Sequence, residues 1–169
     1  TVTVSGVTIN DGNGGSNYSV TYADNTNSTI NQLALTISGS SAANKVYDGN
    51  TSATITAGSL SGVISGDIVT VSGTGAFGDK HVGTNKNVTT GYSLSGTDGG
   101  NYSLAGETLQ ADVTPLAISA SGITAVNKIY DGAADATLNV GSASLSGVIS
   151  GDTVTLDTAG SSGSFGNRE

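Results

Sequence analysis

The chain has no cysteine, no methionine and no tryptophan, and only one proline and one histidine in 169 residues. Without cysteine there are no disulfides and no thiolate metal centres, so whatever folds here is stable without covalent staples. A transition metal would find a single imidazole and otherwise only carboxylates, a poor ligand set. Basic residues are scarce too: five Lys and Arg against thirteen Asp and Glu give a net charge of −8. Such a surface cannot replace phosphate counterions, which excludes nucleic acid and anionic membrane surfaces as partners. No run approaches the ~18 apolar residues of a membrane-spanning helix. The N-terminal residues show no basic, apolar and small-residue targeting pattern. Lack of cysteine is compatible with a surface protein that crosses a membrane unfolded.

Aromatic residues make up 5% and hydrophobic residues 36%, which allows a thin core of Val, Ile, Leu and Ala and argues against a large enclosed pocket. With 11% of positions charged, the chain is not a charge-driven disordered polymer.

What the sequence does have is repetition. Asn44-Lys45-Val46-Tyr47-Asp48-Gly49 returns as Asn127-Lys128-Ile129-Tyr130-Asp131-Gly132, and Leu60 to Asp67 returns unchanged as Leu145 to Asp152. Asn17-Tyr18-Ser19-Val20 returns as Asn101-Tyr102-Ser103-Leu104. The spacing is 83 to 85 residues for these blocks. A unit of about that size closes a small core of its own, so beads on a string are expected rather than a solenoid. Residues 1–43 align with the second half of a unit, 44–126 with a complete unit and 127–169 with a first half. The expectation is a stretch of a longer array.

Period-two alternation is the dominant local pattern. Val69 and Val71 fall on one face of a strand, as do Val154 and Leu156, while the position between accepts Ile68 in one copy and Thr153 in the other and is therefore expected to be exposed. The same comparison nominates as core Ile55 and Leu138, Leu60 and Leu145, Phe77 and Phe165, Ile9 and Leu94, Val20 and Leu104, Ile30 and Val113, and Leu35 and Ile118. Gly-rich breaks such as Asp11-Gly12-Asn13-Gly14-Gly15 and Asp98-Gly99-Gly100 supply turns, and no capped helical period is present. The expected fold is all-β, in tandem small antiparallel domains. An immunoglobulin-like sandwich of about seven strands fits best, with a β-grasp-like sheet as the alternative.

The order Lys-Val-Tyr-Asp-Gly-Asn-Thr, Leu-Ser-Gly-Val, Gly-Asp, Phe-Gly-Asp-Lys-His-Val-Gly and Asn-Tyr-Ser-Leu (Lys45 to Leu104) resembles the YDG repeat of large bacterial exoproteins. The resemblance covers the whole chain. It implies a relationship to MBG adhesin modules and to filamentous-haemagglutinin-like adhesins exported by two-partner secretion, in which such repeats act as stalk or biofilm-matrix elements. The third copy departs from it at Asn167-Arg168-Glu169, where the second reads Asp79-Lys80-His81.

Tyr47, Asp48 and Gly49, with Tyr130, Asp131 and Gly132, are expected to be structural: the ring packs, the carboxylate accepts backbone hydrogen bonds, and the glycine takes the turn. His81 has no base or nucleophile partner and is expected on a surface loop. Asp11 and Asn13, with Asp98 and Asn101 in the matching loop, place hard oxygens on Gly-rich turns, but the spacing departs from a calcium loop and no metal is expected. Asn-x-Ser/Thr at Asn17, Asn27, Asn50, Asn87 and Asn101 follows from the abundance of Ser and Thr, although the resemblance admits glycosylation. Lys45 and Lys128, each beside an apolar residue, are candidates for an isopeptide bond to an Asn.

No cofactor, nucleophile-base pair or phosphate loop is legible, so no enzymatic activity is expected. The leading expectation is a stalk repeat of a secreted, cell-surface-associated bacterial fibre whose partners are neighbouring repeats or copies of itself. One alternative is a lectin-like module that stacks extracellular glycans on Tyr18, Tyr92 or Tyr102. Another is a fibre subunit that self-assembles by strand donation between half units.

Overall fold

Alternating β-branched and small residues broken by glycine favour short strands, and the computed structural model, which describes residues 1–166, is nearly all β. Its one helical element is a single 3-10 turn, Gly99–Asn101. Asn167, Arg168 and Glu169, the departure from the repeat pattern, lie outside the described residues.

In chain order the first unit contains β1 (Leu33–Ser38), β2 (Ser41–Ala42), β3 (Lys45–Val46), β4 (Ser52–Ala53), β5 (Ile55–Thr56) and β6 (Ser59–Ser61). The long strands β7 (Thr70–Phe77) and β8 (Gly83–Ser95) follow, then β9 (Tyr102–Leu104) and β10 (Thr108–Thr114). A five-stranded sheet runs β3-β10-β8-β7-β4, a three-stranded sheet runs β6-β1-β9, and β2 pairs with β5. Short edge strands such as β3 and β4 offer little unpaired backbone to another chain.

The pairing is not wholly antiparallel, which corrects the expectation. β1 runs parallel to β9, and β3 parallel to β10. Each of these pairs joins strands from opposite ends of the unit, with the rest of the unit threaded between them, so no hairpin forces reversal. β1 and β2 precede residue 44 yet pair with β6, β9 and β5, which ties residues 33–42 structurally to the strands that follow.

The second copy rebuilds the first-half pairings with β11 (Ser119–Ser121), β12 (Thr124–Ala125), β13 (Asp135–Ala136), β14 (Leu138–Asn139), β15 (Ser144–Ser146) and β16 (Gly163–Ser164). β11 pairs with β15 as β1 does with β6, β12 with β14 as β2 with β5, and β13 with β16 as β4 with β7. Residues 1–32, by contrast, hold one isolated bridge, Val2 to Asn25.

The core sits in the five-stranded sheet, where Phe77, Val88, Ala111 and Val113 are buried and Tyr47 and Ile55 pack against them. Leu35 and Tyr102 are buried on the three-stranded sheet. Gly75 is required by close approach: a Cβ there would lie 2.6 Å from Ile55 Cδ1, and Gly163 meets Leu138 Cδ2 at 2.7 Å in the same way. Val69 and Val71 are half-buried and Ile68 is exposed, as the alternation indicates.

Of the expected core, Phe77, Val113 and Leu35 are buried, and Ile55, Leu60, Leu94, Leu104, Leu138, Leu145 and Ile9 half-buried. Phe165, Val20, Ile30, Ile118, Val154 and Leu156 are exposed, which corrects their assignment. Phe165 bonds back to Ala134 as Phe77 does to Thr51, but among the described residues no strand stands beside it in the place of β8, nor beside β11 in the place of β9.

Candidate functional site

The Tyr-Asp-Gly block follows β3, and its turn is built from local chemistry. Asp48 Oδ1 accepts from the Asn50 backbone N–H at 3.1 Å and from Lys45 Nζ at 2.7 Å. Lys45 Nζ also donates to the carbonyls of Asn50 and Ser52, at 2.9 and 3.0 Å, and lies 5.6 Å from the Phe77 ring centroid. The ammonium beside it, then the Asn50 N–H, hold the Asp48 carboxyl below its ordinary value. Gly49 closes the turn at φ +80°, a left-handed conformation that suits glycine.

The second copy has the same turn: Asp131 Oδ1 accepts from the Ala133 N–H at 3.0 Å and pairs with Lys128 at 2.9 Å, and Gly132 has φ +81°. Ala133 stands where the first copy has Asn50, so a Lys-Asn pair at this turn is not common to both units.

Tyr47 does more than pack. Its backbone N–H bonds to Thr114 O at 2.9 Å, and its hydroxyl donates to Asp152 Oδ2 at 2.6 Å, 105 positions away in the following unit. Lys80 Nζ reaches the other oxygen of the same carboxylate at 2.7 Å and lies 5.8 Å from the Tyr47 ring centroid. Lys80 and then Tyr47 hold the Asp152 carboxyl below its ordinary value, and Asp152 holds the Lys80 ammonium above its own. Ile149 seats against Gly49, where an added Cβ would come within 2.9 Å of its Cγ2. Beside them runs an apolar groove of about 240 Å³ lined by Val82, Leu116, Ile118, Val148 and Val154. A more open cleft of about 590 Å³ adjoins it, lined by Tyr47, Lys80, His81, Asp152 and Thr153.

Lys80 belongs to the Asp79-Lys80-His81 stretch, where the third copy's departure leads to the expectation of no required chemistry; its contact with Asp152 shows a role there in this chain. Asp152 was not among the candidate site residues. The signal was present in the unchanged return of Leu60 to Asp67 as Leu145 to Asp152, which a turn alone does not require.

Of the remaining candidates only His81 borders this seam between the units, in the cleft beside Tyr47, Lys80 and Asp152. Asp11 Oδ1 accepts from the N–H groups of Asn13 and Gly15, both at 2.8 Å, closing its own loop. Asp98 Oδ2 accepts from Ile68 N–H at 2.8 Å, and Asn101 is exposed. Among the described residues no three His, Asp or Glu side chains gather as a metal group. His81 is exposed. Tyr102 is 3% exposed, donates to Asp67 and accepts from Ile64 N–H, so its face is closed to a sugar. Tyr92 is half-buried with its hydroxyl on Glu107 at 2.6 Å, whereas Tyr18 is exposed. No helix among the described residues is long and apolar enough to cross a membrane.

The YDG domain profile matches residues 31–110 and again 114–169. The chain belongs to the YDG domain family. No curated protein and no solved structure matches it. The first YDG match begins just before β1 and the second just before β11, in step with the strand pairings that recur from one unit to the next.

Proposed function

We propose that these YDG units are structural repeats of a large secreted bacterial adhesin or biofilm-matrix filament, in which they act as a spacer that carries other parts of the protein away from the cell. The observation that carries this reading is the rebuilding, at repeat spacing, of three strand pairings in the second copy, together with the Tyr47 and Lys80 contacts that join one unit to the next. Serial units in direct contact transmit length and orientation, which a stalk requires and a catalytic site does not. The acidic, cysteine-free composition suits an extracellular chain held in no covalent frame. Small-angle scattering on arrays of increasing unit number tests it. The expected result is a rod whose maximum dimension grows by a constant increment per unit; dimensions that scale as a compact globule or a random coil would sink the stalk reading.

A further inference from the structure

The two parallel pairings of the first unit share an arrangement. Each joins a strand from the first part of the unit, β1 or β3, to one from its last part, β9 or β10, and the chain continues before β1 and after β10. Tension along the chain therefore enters β1 at its N-terminal end and leaves β10 at its C-terminal end. In a parallel pair those two ends lie at opposite ends of the ladder, so tension slides one strand along the other and loads the rungs together. In the antiparallel β7–β8 hairpin the outer ends, Thr70 and Ser95, face each other, so pulling there opens rungs one at a time. That hairpin lies between the paired strands in the chain, which shields it from the load until they part. Side chains reinforce both parallel ladders. Leu35 and Tyr102 in the β1–β9 pair and Val113 in β10 are buried, where water does not compete for the rungs. Tyr47 N–H continues the β3–β10 ladder onto Thr114 O at 2.9 Å, and Asp112 N–H donates to Asn44 Oδ1 at 2.7 Å immediately before β3. Gln32 Nε2 donates to Gly100 O at 3.0 Å where the chain enters β1.

We propose that the first YDG unit bears tension along the chain, with the β1–β9 and β3–β10 pairs acting as a shear clamp that must fail before the core opens. The barrier to opening under load belongs to the direction of the pull, because forced unfolding is governed by the unfolding rate and not by equilibrium stability. A spacer fixes a distance; a clamp keeps that distance under load. The clamp stands on pairings within one unit, so the scattering result for covalent arrays neither supports nor removes it.

The absence of cysteine lets single-molecule pulling handles be placed at chosen pairs of sites in the full chain. One version carries Asn31→Cys and Ala117→Cys, just outside β1 and β10, and loads the clamp in shear. The other carries Thr70→Cys and Thr97→Cys and peels the β7–β8 hairpin from its open end. All four side chains are exposed, so the fold is retained, and urea unfolding of the untethered proteins confirms equal stability. At equal force the shear version should survive at least about tenfold longer, the factor carried by one or two hydrogen bonds broken together and not in turn. Its opening should release residues 33–114 in a step of about 270 to 295 Å, less the folded span between them. Asn44→Ala, at an exposed position outside the hairpin, should shorten the lifetime in the shear version and leave the hairpin version unchanged. Equal lifetimes in the two versions, or an Asn44→Ala effect alike in both, would overturn the clamp.

Discussion

Residues 84–114 and 1–31 occupy the same repeat positions and reach different states. Val113 is 1% exposed and Ile30, its counterpart, 103%; Tyr102 is 3% exposed and Tyr18 66%. The first segment forms β8, β9 and β10, while the second forms a single bridge. Composition and alternation are shared, so local preference cannot account for the difference. β8 is held between β7 and β10, and β10 is held between β8 and β3, whereas residues 1–31 have no such neighbours beside them. β-propensity expresses how well a residue fits a pleated, half-buried surface, and that surface is made by the other half of the unit. The second copy shows the converse: its first-half strands pair, yet among residues 115–166 no side chain is buried.

The largest test of this contrast is the pair of phenylalanines at one repeat position. Phe77 is 3% exposed in the core and Phe165 is 37% exposed. Phe77→Ala should cost about 3 to 5 kcal/mol, the range for a buried phenylalanine, and Phe165→Ala within about 0.5 kcal/mol, as for a surface position. Urea unfolding followed by circular dichroism measures both. Equal losses at the two sites would break the contrast and show that the second copy carries a core of its own.

Next in size is the glycine that admits Ile55. An alanine at Gly75 would place its Cβ 2.6 Å from Ile55 Cδ1 and 3.0 Å from Val88 Cγ1, inside the packed sheet. Gly75→Ala should therefore cost about 1 to 3 kcal/mol through overpacking. Gly163→Ala meets Leu138 at a similar distance, but Leu138 is only half-buried and free to move aside, so the loss there should be smaller. A greater loss at Gly163 than at Gly75 would reverse the assignment of the rigid unit.

Legibility in the sequence follows the same division. The Tyr-Asp-Gly turn was readable because Asp48, Asn50 and Gly49 bond within a few residues of one another. The alternation of Val69 and Val71 was readable because a strand face is a local property. The parallel pairing of β1 with β9 was not, since Leu33 and Tyr102 meet through chain topology and nothing in either segment names the other. The exposure of Ile30 was hidden for the same reason. The Tyr47 to Asp152 bond crosses from one unit to the next, and only the unchanged return of the Asp152 loop pointed toward it.

A third, smaller effect sharpens the tyrosine contrast. The Asp67 carboxylate beside Tyr102, and burial after it, push that phenol above its ordinary value of 10.0. A raised phenol contributes stability that is fully present below 10.0 and is lost as pH rises through the folded value. Asp67→Asn should move Tyr102 ionisation back toward the ordinary value, read from tyrosinate absorbance against a Tyr102→Phe control. An unchanged titration would remove Asp67 as the cause.

The smallest effect should be alike in both units, because it belongs to a turn that needs no distant partner. Asp48 and Asp131 are each held below 3.8 first by their lysine, Lys45 or Lys128, and then by one backbone N–H. A depressed carboxyl contributes stability that is present above 3.8 and lost as pH falls through the lower folded value. Lys128, raised above 10.5 by Asp131, contributes in the opposite window, present below 10.5 and lost as pH rises through its folded value. Both carboxylates are substantially exposed, at 44% and 54%, so salt screens the pairs and the change in stability is slight. Carbon-13 titration of the Asp side chains resolves it: Lys45→Met should raise the Asp48 midpoint toward 3.8 without moving Asp131, and Lys128→Met should do the reverse. Matching shifts would show the turn formed to the same degree in a unit with a core and in one without. A midpoint for Asp131 that ignores Lys128 would mean that the second turn, too, depends on strands it lacks here.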